Sequence, residues 1–234
     1  MCRSLLRAPA GLADRHWRNR WLAADRRVAA LAERHLIESG WCEGQILGLL
    51  MRGLPAGEAL LCANSMPIRQ LDTWSGTRAE PLLLHGNRGV SGIDGQVSTL
   101  AGLNHAGPAC WALLGDLSLA HDLSGLLLSA RLARPLLVIN NGGGRIFDYL
   151  PQHGLPDFEA FWRTPVDLDL KALAATFRLA HRLVEDAGAL GAVLRDASRQ
   201  PPRPALIEMP IDADRSRDIH LAYWRRAERE RLID

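Results

Sequence analysis

The sequence predicts an α/β fold, a parallel β-sheet flanked by helices on both faces, with a helical segment ahead of it. Three observations predict it. Short apolar runs recur at Ala59–Ala63, Pro81–Leu84, Cys110–Leu114, Pro135–Ile139 and Ala205–Met209. They are continuous rather than alternating, as strands buried on both faces require. Between several of them lie stretches of helical periodicity, Gly95–His105, Leu117–Ala133 and Leu168–Phe177, the order expected of strand–helix–strand units. Finally, the runs end in polar or small residues: Asn64-Ser65, His85-Gly86-Asn87, Gly115-Asp116, Asn140-Asn141 and, less cleanly, Pro210. Open parallel sheets bind ligands outside the carboxyl ends of their strands, so these tips predict where a site lies.

The elements follow in order. Up to about residue 40, Trp17, Trp21, Val28, Leu31, Leu36 and Ile37 recur at roughly helical spacing. A second helix is expected from about Glu43 to Arg52, stopped by Gly53-Leu54-Pro55. The expected division is residues 1–55, a helical linker or remnant of a preceding domain, and residues 56–234, the sheet domain. Asp148–Pro165, rich in Pro, His and aromatics, reads as a long ordered loop over the site. Arg199–Pro204 reads as a surface turn, and the tail from Arg215 as a charged, solvated helix.

Composition narrows the function. Hydrophobic residues make up 47% and charged residues 23% of the 234 positions, close to globular averages. The formal charge is only +2, and basic residues lie scattered among acids without interleaved aromatics, which argues against nucleic acid as a partner. Cys2, Cys42, Cys62 and Cys110 form no C-x-x-C. They fit reduced, mostly buried thiols of a cytoplasmic protein better than a disulfide framework or zinc site. No apolar run approaches the roughly 20 residues of a membrane span, and the first residues are too short and too charged for a secretory signal.

The chemistry concentrates in two strand tips, Gly115-Asp116-Leu117-Ser118 and Asn140-Asn141-Gly142-Gly143-Gly144, with Asp116 and Asn141 standing 25 positions apart. A crossover helix between two parallel strands brings both tips to one sheet edge. The Asp116 carboxylate and the Asn141 amide oxygen are hard ligands suited to Mg2+ or Mn2+. A carbonyl of the glycine turn would add a third oxygen, and the helix start after Asp116 would offer N–H groups to an anion. Either tip alone is usually a helix cap or a turn. The pair at this spacing is far more specific. His105 and His121-Asp122 lack a third ligand at metal spacing and read as helix-surface or core residues.

A G-D-x-(about 25)-N-N pattern resembles the diphosphate motif of thiamine diphosphate enzymes. The match narrows with Gly-Asp-Leu-Ser at 115–118, Asn64-Ser-Met-Pro-Ile-Arg69, Asn87-Arg-Gly-Val-Ser-Gly-Ile-Asp-Gly95 and Ile146-Phe-Asp-Tyr-Leu-Pro151. Together these resemble the MenD family of menaquinone biosynthesis, the 2-succinyl-5-enolpyruvyl-6-hydroxy-3-cyclohexene-1-carboxylate (SEPHCHC) synthases, over about Leu60–Pro210. The resemblance implies thiamine diphosphate as cofactor and a transfer in which 2-oxoglutarate is decarboxylated and added to isochorismate. It implies Asp116, Asn141 and the Gly143 carbonyl as metal ligands, and Gly115, Leu117 and Ser118 around the diphosphate. Ile93 would be the wedge that holds the cofactor bent. Ser65, Arg69 and Arg88 would line the substrate site, with Ile146, Phe147 and Leu150 as its apolar wall. Both substrates are dicarboxylates, which planar guanidinium groups pair with bidentately.

Two departures qualify the resemblance. Gly142 stands where the family usually carries Asn or Asp, so a looser turn and weaker metal binding are expected. The family's activating glutamate lies on a separate pyrimidine-binding domain, and no glutamate here sits in a matching motif. The expectation is therefore a C-terminal part, inactive alone, that pairs with a pyrimidine-domain-bearing subunit or homodimer partner. The rival readings are another thiamine diphosphate decarboxylase or acetolactate-synthase-like enzyme, and a non-catalytic cofactor-binding module. A nicotinamide dehydrogenase is disfavoured because no G-x-G-x-x-G follows a strand.

Overall fold

In the computed structural model, residues 15–199 and 204–230 are described. Most of the expected 199–204 turn, the first residues and Cys2 lie outside them. Contacts divide the described chain into two units, one of residues 15–38 and 221–230, the other of residues 39–220. The helix expected at Glu43–Arg52 thus falls with the sheet, and the last turns of the C-terminal helix fall with the first helix. This division differs from the expected 1–55 and 56–234.

The smaller unit contains α1 (Arg15–Ser39) up to residue 38. Ala24, Leu31, His35 and Leu36 are its buried face, whereas Trp17, Trp21 and Ile37 are exposed. Within this unit Arg226 donates to Glu38 Oε2 at 2.7 Å and contacts His35 Nδ1 at 3.2 Å.

The larger unit is built on six parallel strands: β1 (Ala59–Cys62), β2 (Leu83–His85), β3 (Cys110–Gly115), β4 (Leu136–Asn140), β5 (Ala180–Leu183) and β6 (Ala205–Pro210). Their order across the sheet is β2-β1-β3-β4-β6-β5. The helices are α2 (Glu43–Gly53), α3 (Met66–Trp74), α4 (Gln96–Ala106), α5 (Asp116–Ala120), α6 (Phe158–Phe161), α7 (Leu170–Thr176), α8 (Ala187–Arg199) and α9 (Ala213–Arg229). Alternate strand residues feed two layers. Ala59, Leu61, Cys110, Ala112, Leu114, Leu136, Val138 and Leu206 pack with Val97 and Leu100 of α4 and Leu170 and Ala174 of α7. On the other face α2 packs against α3 and α8. Each fully buried Leu or Val there contributes about 1.5–3 kcal/mol. The chain leaves β1 for β2 on one side and then returns to β3 on the other. Such a reversal opens a crevice at the carboxyl ends of the strands.

One local expectation needs correction. Leu117–Ala133 is not one helix: α5 is a single turn, followed by a 3-10 segment, Leu123–Arg131. A Cβ at Gly125 would lie 2.9 Å from the Asp122 carboxylate and from Ser98 N, so the chain is drawn tightly past α4 there, where Asp122 accepts from Ser98 N and Oγ. Asp148–Pro165, expected as an ordered loop, carries short helical turns. A 3-10 turn at Arg145–Tyr149 runs into it, and it contains a second at Pro151–Gly154 and the short helix α6.

Burial pushes the thiol of Cys62 up to about 12 and that of Cys110 up to about 11, and both are fully buried on β1 and β3. Only thiolate reacts with disulfide reagents. At pH 8 these two thiols should be labelled no faster than the chain unfolds, which parallel labelling and tryptophan-fluorescence kinetics would check.

Candidate active site

Three adjacent strands deliver the polar tips to one edge: β1 ends at Asn64-Ser65, β3 at Gly115-Asp116 and β4 at Asn140-Asn141. Asp116 is buried. Its Oδ2 accepts from the backbone N–H groups of Asn141 (3.0 Å), Gly142 (2.7 Å) and Gly143 (3.0 Å), and its Oδ1 from Leu117 N (2.6 Å). Burial holds its pKa above the ordinary carboxylate value, and these four N–H groups offset only part of that rise. The carboxylate of one strand end thus clamps the turn at the next.

The turn needs its glycines. Gly142 and Gly143 have φ of +81° and +109°, a region L side chains rarely adopt. The far end of the long loop backs them: Gly144 N donates to Thr164 O at 3.3 Å and Val166 N to Gly142 O at 3.2 Å. Gly142, expected to loosen the turn, is therefore tied at both its amide and its carbonyl.

Asn141 turns its Nδ2 to Glu43 Oε1 at 2.9 Å. Among the described residues no donor is directed at its Oδ1. Glu43, buried at the start of α2, also accepts from Gln70 Nε2 at 2.6 Å, and Gln70 Oε1 accepts from Trp74 Nε1 at 2.6 Å. Burial drives the Glu43 pKa up, against the two amide donors that lower it. No motif or local pattern singles out Glu43, which lies 98 positions from Asn141.

A cavity of about 310 Å³ opens here. It gathers Gly115, Asp116, Leu117, Ser118, Asn141 and Gly143 from the strand tips, Ser65, Arg69, Arg88 and Ile93 from the β1 and β2 side, and Ile146 and Phe147. Leu150 is the exception. It is absent from the lining and 38% exposed, because the backbone turns away between the two 3-10 segments. Arg145 and Arg163 hold the buried Asp148 carboxylate at 3.1 and 2.7 Å, which anchors the turn that carries Ile146 and Phe147.

Arg69 and Arg88, which line the cavity, each have an anchor. Arg69 donates to Ser65 O at 2.8 Å and Arg88 to Asn64 Oδ1 at 3.0 Å, leaving further guanidinium donors for a ligand. Asn64 also donates to the carbonyls of Asn87 and Gly92, so it organises the loop bearing Arg88 and Ile93. Ser65 has φ 71° and ψ −133°, a strained conformation for a non-glycine residue. Ser65→Gly should raise stability by about 1 kcal/mol, the strain relieved less the entropy of the added glycine, as a denaturant midpoint would show.

The donor set suits a hard cation. Among the described residues, Asp116 Oδ1 carries a single N–H partner, Asn141 Oδ1 carries none, and the Gly143 carbonyl accepts only from Arg145 N. No cluster of three His, Cys, Asp or Glu side chains that could hold a metal occurs among the described residues. A set made of one carboxylate, one amide oxygen and one backbone carbonyl is of a different kind. At the α5 end the anion-binding expectation shrinks: one helical turn has little macrodipole, and Leu117 N–H serves Asp116 itself.

Comparison with known proteins identifies this architecture. The fold matches a solved structure from Mycobacterium smegmatis, an enzyme assigned as thiamin diphosphate-dependent, with a TM-score of 0.55, 19% identity and coverage of 74% of this chain and 32% of that one. The sheet is the thiamine diphosphate-binding fold. No protein-family model matches the chain.

In sequence the chain is a homologue of the SEPHCHC synthases. It is 41% identical over 185 residues to that of Chloroflexus aurantiacus, covering 76% of this chain and 31% of the relative. It is 36% identical to that of Salinibacter ruber (87% and 35%) and 36% identical to that of Saccharopolyspora erythraea (91% and 39%). The chain therefore spans about a third of the length of the curated relatives it matches.

Proposed function

We propose that this chain is the C-terminal, diphosphate- and metal-binding part of a SEPHCHC synthase, a transferase of menaquinone biosynthesis that acts in the cytoplasm. The observation that carries the reading is the Asp116 clamp on the Asn141–Gly143 turn, across one cavity from Arg69 and Arg88. Asp116, Asn141 and the Gly143 carbonyl would hold Mg2+ or Mn2+, with Gly115, Leu117 and Ser118 toward the diphosphate and Ile93 against the rest of the cofactor. Bound thiamine diphosphate supplies the electron sink for decarboxylating 2-oxoglutarate and joining the remaining four-carbon unit to isochorismate.

The chain's own residues bind and orient. Arg69 and Arg88, anchored through Ser65 O and Asn64, offer two guanidinium groups to dicarboxylate substrates. Ser65 contributes a polar contact. Ile146 and Phe147 form the apolar wall that excludes water, with Leu150 at its outer margin. Among the described residues no glutamate lines the cavity, so the activating acid belongs to a pyrimidine-domain-bearing subunit or homodimer partner, and the chain is inactive alone. Leu83 and Leu84 (each 51% exposed) and Val90 (89% exposed), on β2 and the loop after it, support a face that a partner covers.

Calorimetric titration of the chain with thiamine diphosphate, with and without Mg2+, tests the reading. Metal-dependent binding is expected. Its absence even after addition of a pyrimidine domain would overturn the proposal. With that domain supplied, turnover of 2-oxoglutarate with isochorismate, and not of pyruvate, separates this reaction from that of an acetolactate-synthase-like enzyme. Cofactor binding without turnover would mark a binding module. In the active assembly Arg88→Ala should raise the KM for a dicarboxylate substrate about 10- to 100-fold, the loss of one charge-assisted contact of about 1.5–3 kcal/mol.

A further inference from the structure

We propose, resting on the thiamine diphosphate reading above, that Glu43 is a positioning residue whose carboxylate turns the Asn141 side chain so that its amide oxygen, and not its nitrogen, faces the metal. An asparagine amide is nearly symmetric in shape, and only its partners decide which end points where. The partners here form a chain with a fixed direction. The indole N–H of Trp74 is donor-only and holds Gln70 by Oε1. Gln70 is thereby left to present Nε2 to Glu43 Oε2. The Tyr149 hydroxyl, also in contact with Gln70, can donate or accept and so imposes no direction of its own. The Gln70 contact occupies one carboxyl oxygen of Glu43, and the other accepts from Asn141 Nδ2. Trp74, Gln70 and Glu43 are all buried, so water does not substitute for a missing partner. Outer partners that orient metal ligands commonly govern affinity.

The same logic predicts an unusual response to an isosteric change. In Glu43→Gln, Gln70 stays pinned by Trp74 and still offers N–H. The new amide must give its oxygen to Gln70 and its nitrogen to Asn141. Asn141 then rotates to accept, and its NH2 group faces the metal. In the double variant Glu43→Gln/Gln70→Glu the order is restored. The carboxylate now at position 70 accepts from Trp74 and from the amide at position 43, whose oxygen again receives Asn141 Nδ2. A merely structural role for Glu43 predicts no such rescue.

Two measurements on the full chain test the inference. The first follows the Asn141 side-chain NH2 resonances by 15N NMR without metal, assigned by their disappearance in Asn141→Asp. Exchange-protected NH2 protons are expected in wild type, exposed ones in Glu43→Gln, and recovered protection in the double variant. The second titrates Mn2+ in the presence of thiamine diphosphate. Glu43→Gln should bind metal about 10- to 100-fold more weakly, and the double variant should recover most of the loss. Thermal unfolding of each variant confirms that a fold is present. Wild-type metal affinity in Glu43→Gln, or a folded double variant without recovery, would overturn the proposal. Failure of wild type itself to bind Mn2+ and cofactor, even after addition of a pyrimidine domain, sinks the thiamine reading instead, and the NH2 resonances then decide the amide's orientation alone.

Discussion

Asp116→Ala is expected to lower stability by about 3 kcal/mol and to abolish metal-dependent thiamine diphosphate binding. The two losses have different origins. Alanine removes the acceptor for four backbone N–H groups, those of Leu117, Asn141, Gly142 and Gly143. A buried donor left unpaired costs about 1–3 kcal/mol. Gly143 is buried, whereas Gly142 is exposed and can turn to water, so the total falls well below four full penalties. Binding should fail because the proposed anionic ligand is gone and the turn bearing the other two proposed ligands loses its clamp. Asp116→Asn separates the effects. Its amide oxygen can occupy the Oδ2 position and keep the three turn contacts, while its NH2 group meets Leu117 N–H and forfeits one. Most of the stability should survive and the metal affinity should not. Denaturant unfolding and calorimetric titration of the three proteins read both quantities. An alanine variant with the wild-type unfolding midpoint would show that the clamp contributes nothing.

The clamp is half legible in the sequence. Strand tips that are polar in a parallel sheet lie at one edge by topology, so Asp116 and Asn141 are expected together. What they touch is not readable. The N–H groups that bind Asp116 belong to the backbone and carry no residue signature. Glu43 stands on a helix whose pattern reads as linker, and nothing local marks a carboxylate as buried. Similar reasons explain the fold. The five apolar runs correspond to β1, β2, β3, β4 and β6, but β5 (Ala180–Leu183) has no such run. It is an edge strand, largely exposed, held by pairing to β6, so its sequence Ala-His-Arg-Leu needs no apolar pattern. The helix α3 lies hidden inside a motif notable for its chemistry, although Pro67 in its first turn is a helix-start signal. The broken helix after Asp116 is signalled by Gly125, whose missing Cβ makes room for Asp122 and the α4 backbone.

The second large effect is expected at Gly143, and it distinguishes strain from collision. A Cβ on Gly143 would lie 2.1 Å from Thr164 O, 3.0 Å from Val166 N and 3.1 Å from Pro165 Cα, all backbone atoms. Neither side can yield cheaply. Gly143 N–H is bonded to Asp116, and the neighbours Gly142 and Gly144 are paired with Val166 and Thr164. Gly143→Ala should therefore destabilise the chain by about 4 kcal/mol, in the range of the largest single-site effects, and should detach the Thr164–Val166 segment from the turn. Gly142 is the internal control. Its φ of +81° is also in the left-handed region, but a Cβ there meets nothing within 4 Å. Gly142→Ala should cost only about 1–2 kcal/mol of backbone strain. Gly142→Asn should cost less again, because asparagine tolerates the left-handed region. Denaturant midpoints of the three variants test this order. Equal losses at 142 and 143 would mean that conformational strain alone governs the turn. The predicted inequality would mean that the loop end is packed against the turn and fixes the position of Gly143.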